Sequence, residues 1–256
     1  MQGGSIAGDR SVRRTCGSLA LAVCCLAAAV APLRAEPDPP QAEMFSGFEA
    51  SDNYASGYVG GGYAFGNGLY APGLRLRAVG AYGRYHYNGD VIVGPNSVAT
   101  TFQGQVGFAA ALLGYQFRPG VATVKLFAGI EAEDQHIEPR DPNNSVQGSK
   151  IGLRLIAETW YELAPRWFAS ADASYGTAFQ QYWSRARLGF RAWPRLSLGL
   201  EGGALGNSEY DAGRGGGFVR VNVLRSLEMT LSGGFTGDYL MEDPSGYVAL
   251  GVYRTF

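Results

Sequence analysis

Hydrophobic and polar residues alternate with a period of two along most of the chain. In 151–163, Ile151, Leu153, Leu155, Ala157 and Tyr161 occupy one set of positions, while Arg154, Glu158 and Glu162 occupy the other. Val124, Leu126, Ala128 and Ile130 likewise oppose Lys125, Glu131 and Glu133, and Val219, Val221 and Val223 flank Arg220 and Asn222. Successive strand side chains point to opposite faces, so the pattern describes strands with one apolar and one charged face. It predicts β segments over 44–51, 57–65, 73–87, 98–117, 121–135, 148–162, 166–178, 181–193, 195–206, 214–224, 226–236 and 246–256.

The connections alternate in length. Those at 118–120, 163–165, Pro194 and Ser226 are short; those at 88–97, 136–147, 207–213 and 237–245 are longer and rich in Asn, Asp, Gly and Pro. A longer 66–72 turn and a short 179–180 loop break the rule. Short turns at one end, longer loops at the other and an even strand count are the marks of an outer-membrane barrel. The expected fold is therefore all-β, an antiparallel up-and-down transmembrane barrel of about twelve strands, with ten as the alternative count. Segment 98–117 exceeds the ~9–11 residues of one membrane pass, so it is expected to project beyond the bilayer. Val248, Leu250, Val252 and Phe256 alternate up to a terminal aromatic residue, the ending typical of such barrels, although Arg254 departs from that pattern.

The lipid decides which face is outside. A charge at the bilayer midplane costs ~2–4 kcal/mol, so the charged set must face the lumen. In YWSRARLGFR (182–191) that set carries Trp183, Arg185, Arg187 and Arg191, leaving Tyr182, Leu188 and Phe190 on the membrane face. Glu131, Glu158, Asp172 and Glu201 are the expected lumenal counter-charges. Which carboxylate meets which arginine depends on shear and register. Tyr and Trp gather at membrane interfaces, which predicts girdle positions for Trp160, Tyr161, Trp167 and Tyr182.

The first 35 residues read differently. Arg10, Arg13 and Arg14 precede an apolar, small-residue run from Cys16 to Leu33, followed by Arg34-Ala35 and the polar EPDPPQAE. That layout predicts a signal peptide, cleaved after Ala35 with Ala29 and Ala31 as alternative sites, and export to the outer membrane of a Gram-negative bacterium. A short linker over 36–43 would lead into a single barrel over 44–256. All three cysteines lie in the predicted leader, so the exported chain has none for disulfides. The whole chain carries a net charge of −1; removing the leader takes away four arginines and Asp9 and leaves −4. This mild acidity gives no basis for a nucleic-acid partner. Outer-membrane lipid is the expected one.

No catalytic or metal constellation stands out, and no cofactor is implied. His86 and His136 are the two histidines, and local sequence places no nucleophilic serine beside either. Asp141, Asn143 and Asn144 in EPRDPNNS lack the spacing of a calcium loop and read as turn formers.

YWSRARLGFR, together with LGNSEYDAGRGGGF (205–218), resembles the cellulose biosynthesis protein BcsS family. FSGFEAS (45–51), LGYQF (113–117) and ASYGTAFQQYWSRAR (173–187) match the same family in the same order. The resemblance implies a non-enzymatic outer-membrane accessory to bacterial cellulose production, with cellulose and other cellulose-synthesis components as partners. Its motif residues fall on Tyr182, Trp183, Arg185, Arg187, Arg191, Asn207, Tyr210, Asp211 and Arg214. Chain direction puts Trp183, Arg185 and Arg187 in the outer half of the lumen, near a 207–213 loop at the extracellular mouth. Two rival functions stay open on sequence: a small porin with an Arg/Glu-lined passage, and a barrel hydrolase.

Overall fold

The computed structural model describes residues 39–93, 95–237 and 244–256; the predicted leader lies outside them. Twelve antiparallel strands close into a barrel: β1 (Ala42–Ser51), β2 (Tyr54–Ala64), β3 (Gly73–Val93), β4 (Asn96–Phe117), β5 (Ala122–Glu138), β6 (Gly148–Ala164), β7 (Trp167–Gly176), β8 (Tyr182–Trp193), β9 (Leu196–Gly206), β10 (Asp211–Leu224), β11 (Leu227–Thr236) and β12 (Ser245–Thr255). Each strand pairs with its neighbour in sequence, and β1 closes on β12 through Glu43↔Thr255 to Ser51↔Tyr247. Every predicted strand is present. Residues 42 and 43, expected in a linker, already belong to β1.

Burial is inverted relative to a water-soluble protein. Ile151 and Leu200 are 83% and 69% exposed, whereas Arg77 and Glu131 are 5% and 2% exposed. The apolar set of each strand faces outward and the charged set inward, as lipid requires. Tyr161 and Trp167 lie exposed on the outer surface, near the end that carries the termini. Trp160 does not join them. It shares the inward set with Glu158, stacks on Phe168 at 4.4 Å and donates to Glu162. Charged neighbours at i ± 2 therefore outweigh its aromatic character.

The expected 88–97 loop is largely strand. β3 and β4 continue in register to Val93↔Asn96, forming a hairpin taller than the rest of the barrel. Beyond Tyr82 the outward positions become Arg84, His86, Asn88 and Asp90, so this part has left the apolar belt. Its inward Tyr87 and Phe102 instead pack with Ile137 of β5. That cluster keeps the sheet going past Asn88-Gly89, which resembles a turn in sequence.

Glycine has a repeated task inside the barrel. Tyr58, Phe45, Tyr85, Phe127 and Phe168 lie across from Gly47, Gly60, Gly104, Gly114 and Gly189 on adjacent strands. A Cβ at any of these glycines would come within 2.1 to 2.6 Å of the opposing ring. The rings therefore lie flat over neighbouring backbone instead of projecting across the lumen. Aromatic side chains thus cover the bare glycine backbone.

The end carrying the termini is packed from within. Arg75 donates to the carbonyls of Gly68, Leu69 and Ala71, and Gln116 donates to those of Leu69 and Ala71. Leu69 N–H donates in turn to Pro40. These inward side chains tie the 65–72 connection to the barrel end.

Candidate functional site

Register pairs many of the lumenal charges. Asp172 lies opposite Arg185, and Arg187 opposite Glu201. Arg185 Nη2 donates to Asp172 Oδ2 at 3.0 Å, and Arg187 Nε donates to Glu201 Oε2 at 2.8 Å. Glu201 also accepts from Ser232 and Tyr247, leaving that buried pair well satisfied. Arg191 reaches Glu162 at 2.7 Å, a residue on the predicted charged face but outside the expected counter-charge set.

The other two expected counter-charges meet different cations. Glu131 accepts from Arg154 Nε at 2.5 Å and from the Ala178 amide at 3.0 Å. Glu158 joins Arg77, Glu43 and Lys125 in a quartet drawn from β3, β1, β5 and β6, which bridges non-adjacent strands. Arg77 lies 3.0 Å from Glu43 and also bonds Glu158; Lys125 lies 3.6 and 3.7 Å from the same two carboxylates. Tyr253 of β12 donates to Glu43 at 2.8 Å. Sequence reasoning had not nominated Arg77 or Glu43. The parity of Arg75 and Arg77, which precede the apolar Val79 on the same set, was the available signal.

The quartet helps line a lumenal cavity of about 740 Å³, within the ~300–1,000 Å³ of small-ligand sites. Trp183, Arg185 and Arg214 line it together. The Arg185 guanidinium carbon lies 5.0 Å from the centre of a Trp183 ring, and that of Arg214 lies 6.0 Å away. Arg214 is also 5.0 Å from the Tyr247 ring and 2.5 Å from Glu49. Cation–π contacts and ion pairs therefore lock the arginines to the wall. The Arg185–Asp172 pair stays the more accessible, with its side chains 24% and 25% exposed.

The 205–218 block divides. Tyr210 lines the cavity and packs against the Tyr87–Phe102–Ile137 cluster. Asn207 accepts from the Glu209 amide and shapes the turn. Asp211 does not belong to the lumen: it opens β10 opposite Gly206, on the outward set, and accepts from Tyr182 at 3.2 Å. The expected 207–213 loop is thus only 207–210. Arg214, three residues further, turns inward.

The other candidate groups serve the outer end. His136 is exposed beside Glu138 at 3.0 Å. Asp141 accepts from Tyr87 at 2.7 Å and from the Asn143 amide, so its oxygens are engaged in a turn, as expected. Burial and the hydrogen bond to Asp141 push the Tyr87 hydroxyl above the ordinary phenol range, which keeps it a donor.

The family model described as cellulose biosynthesis protein BcsS matches residues 44–256. The chain belongs to the BcsS family. Among solved structures, this BcsS-family barrel is similar to the translocator domain of the autotransporter NalP from Neisseria meningitidis, at 10% identity and a TM-score of 0.52, covering 86% of this chain and 90% of that one. It is also similar to the KdgM porin, at 9% identity and a TM-score of 0.47, covering 84% and 99%. Outer membrane phospholipase A from Escherichia coli gives 12% identity and a TM-score of 0.44, covering 84% and 90%. At such identities the likeness is one of fold, that of outer-membrane barrels. No curated protein matches. Family and fold make the protein a barrel accessory to cellulose biosynthesis.

Proposed function

We propose that this BcsS-family barrel acts without catalysis at the outer membrane, contacting the glucan through the outer half of its lumen. The observation carrying this reading is the Trp183–Arg185–Arg214 cluster on the wall of a 740 Å³ cavity. It brings together the two blocks by which the family is recognised. An aromatic ring beside paired donors and acceptors suits a polyhydroxylated ligand, which has apolar C–H faces and a polar rim. The buried quartet at Glu43 and Arg77, with the packed 65–72 connection beyond it, supports this reading over a general porin.

The test is complementation of a deletion strain with Trp183→Ala/Arg185→Ala, checked for insertion by heat-modifiable gel migration. Wild-type protein should restore surface-retained cellulose and the inserted variant should not. Full restoration by the variant would overturn the proposal.

A further inference from the structure

Along β12, β1, β2 and β3 the cavity wall carries small inward residues, among them Ala249, Ser56 and Ala81, between the charged groups Glu43, Glu49 and Arg77. Tyr58 rests on this wall. A Cβ on Gly47 would lie 2.6 Å from its ring, and one on Gly251 would lie 3.8 Å from its hydroxyl. The ring is thus laid over Gly47 with its hydroxyl toward Gly251. It remains 42% exposed while lining the cavity. An aromatic platform with an available face is held there by glycine.

Each inward cation lining the cavity has a carboxylate partner. Arg77 and Lys125 share Glu43 and Glu158; Arg154 has Glu131; Arg185 has Asp172; Arg187 has Glu201; Arg214 has Glu49; Arg220 has Glu228. An anionic ligand would have to displace one of these carboxylates and leave it unpaired in a partly desolvated site. A neutral ligand would not. It could still use the accessible Arg185–Asp172 pair, which sets donors and acceptors side by side.

We propose that Tyr58 is a stacking subsite for one glucosyl ring of an unsubstituted, uncharged β-glucan, whose hydroxyl edge meets Arg185 and Asp172. This rests on the glucan-contact reading above and adds a platform and a charge preference to it. A β-1,4-linked glucosyl ring carries its hydroxyls equatorially. It therefore offers a flat C–H face to an aromatic ring while its edge stays free for polar groups.

The experiment is titration of the detergent-folded barrel with cellohexaose and, separately, with a galacturonate hexamer, read by calorimetry and by quenching of Trp183 with Trp183→Phe as control. Cellohexaose should bind and the galacturonate hexamer should bind at least tenfold more weakly. Tyr58→Ala should weaken cellohexaose by about tenfold, and Tyr58→Phe, which keeps the ring, by less than about threefold. Asp172→Asn should weaken cellohexaose and narrow the difference between the two sugars. If wild-type barrel binds no cellohexaose, the glucan-contact reading itself fails. If it binds but Tyr58→Ala, still heat-modifiable, keeps full affinity, the platform alone is overturned. Equal affinity for both sugars would overturn the preference for an uncharged chain.

Discussion

Replacing Glu43 by Gln tests whether the barrel interior is held by charge balance. Glu43 is 5% exposed and faces three groups: Tyr253 at 2.8 Å, Arg77 at 3.0 Å and Lys125 at 3.6 Å. The quartet is neutral, with two cations and two carboxylates. Glu43→Gln leaves Arg77 and Lys125 to share Glu158 and buries an uncompensated positive charge. Breaking a buried pair from one side costs ~3–5 kcal/mol; because Glu158 still serves both cations, about 3 kcal/mol is expected. With a urea slope of roughly 2–3 kcal/mol per molar, this lowers the unfolding midpoint by about 1 M or slightly more. The double variant Glu43→Gln/Lys125→Met restores neutrality around Arg77 and Glu158 and should recover at least half of the loss. The assay is urea unfolding from detergent micelles followed by tryptophan fluorescence, with heat-modifiable migration confirming the starting fold. An unchanged midpoint in the single variant, or simple addition of the two losses in the double, would refute the charge-balance argument.

Three further outcomes are expected. Leu200→Arg places a cation on the outward face near the middle of β9 and should destabilise the inserted barrel by ~2–4 kcal/mol, measured by unfolding from lipid vesicles; an unchanged midpoint would mean that this face does not meet lipid. Gly104→Ala sets a Cβ 2.1 Å from the Tyr85 ring and should cost about 1–3 kcal/mol through overpacking, seen as a lower temperature for the heat-modifiable shift. Tyr87→Phe removes the hydrogen bonds to Asp141 and Asn144; it should speed proteolysis within 139–147 while leaving the urea midpoint of the barrel within about 0.5 kcal/mol.

The barrel was legible because its governing constraint is local. Period two assigns each residue to a face, and lipid forbids charge on one of them, so alternation alone turns Arg185, Arg187 and Glu131 inward. Where two local signals competed, the pattern misled. Asn88-Gly89-Asp90 has turn composition, yet Tyr87, Phe102 and Ile137 carry the hairpin through it. Trp160 has girdle chemistry, yet its position in the alternation sends it inward. Asp211 was placed in a loop at the mouth, but the turn closes at Tyr210 and pairing with Gly206 turns it to the outside.

The sequence by itself determined an outer-membrane-type β-barrel of about twelve strands, the inward face of each and the family blocks on β8 and β10. Only the tertiary structure decided the partners. Register matched Arg185 to Asp172 and Arg187 to Glu201, while closure brought Arg77 to Glu43 and Glu158. It also laid Tyr58 over Gly47. Alternation is a property of one strand, whereas pairing and stacking depend on shear, a relation among strands that no single segment encodes.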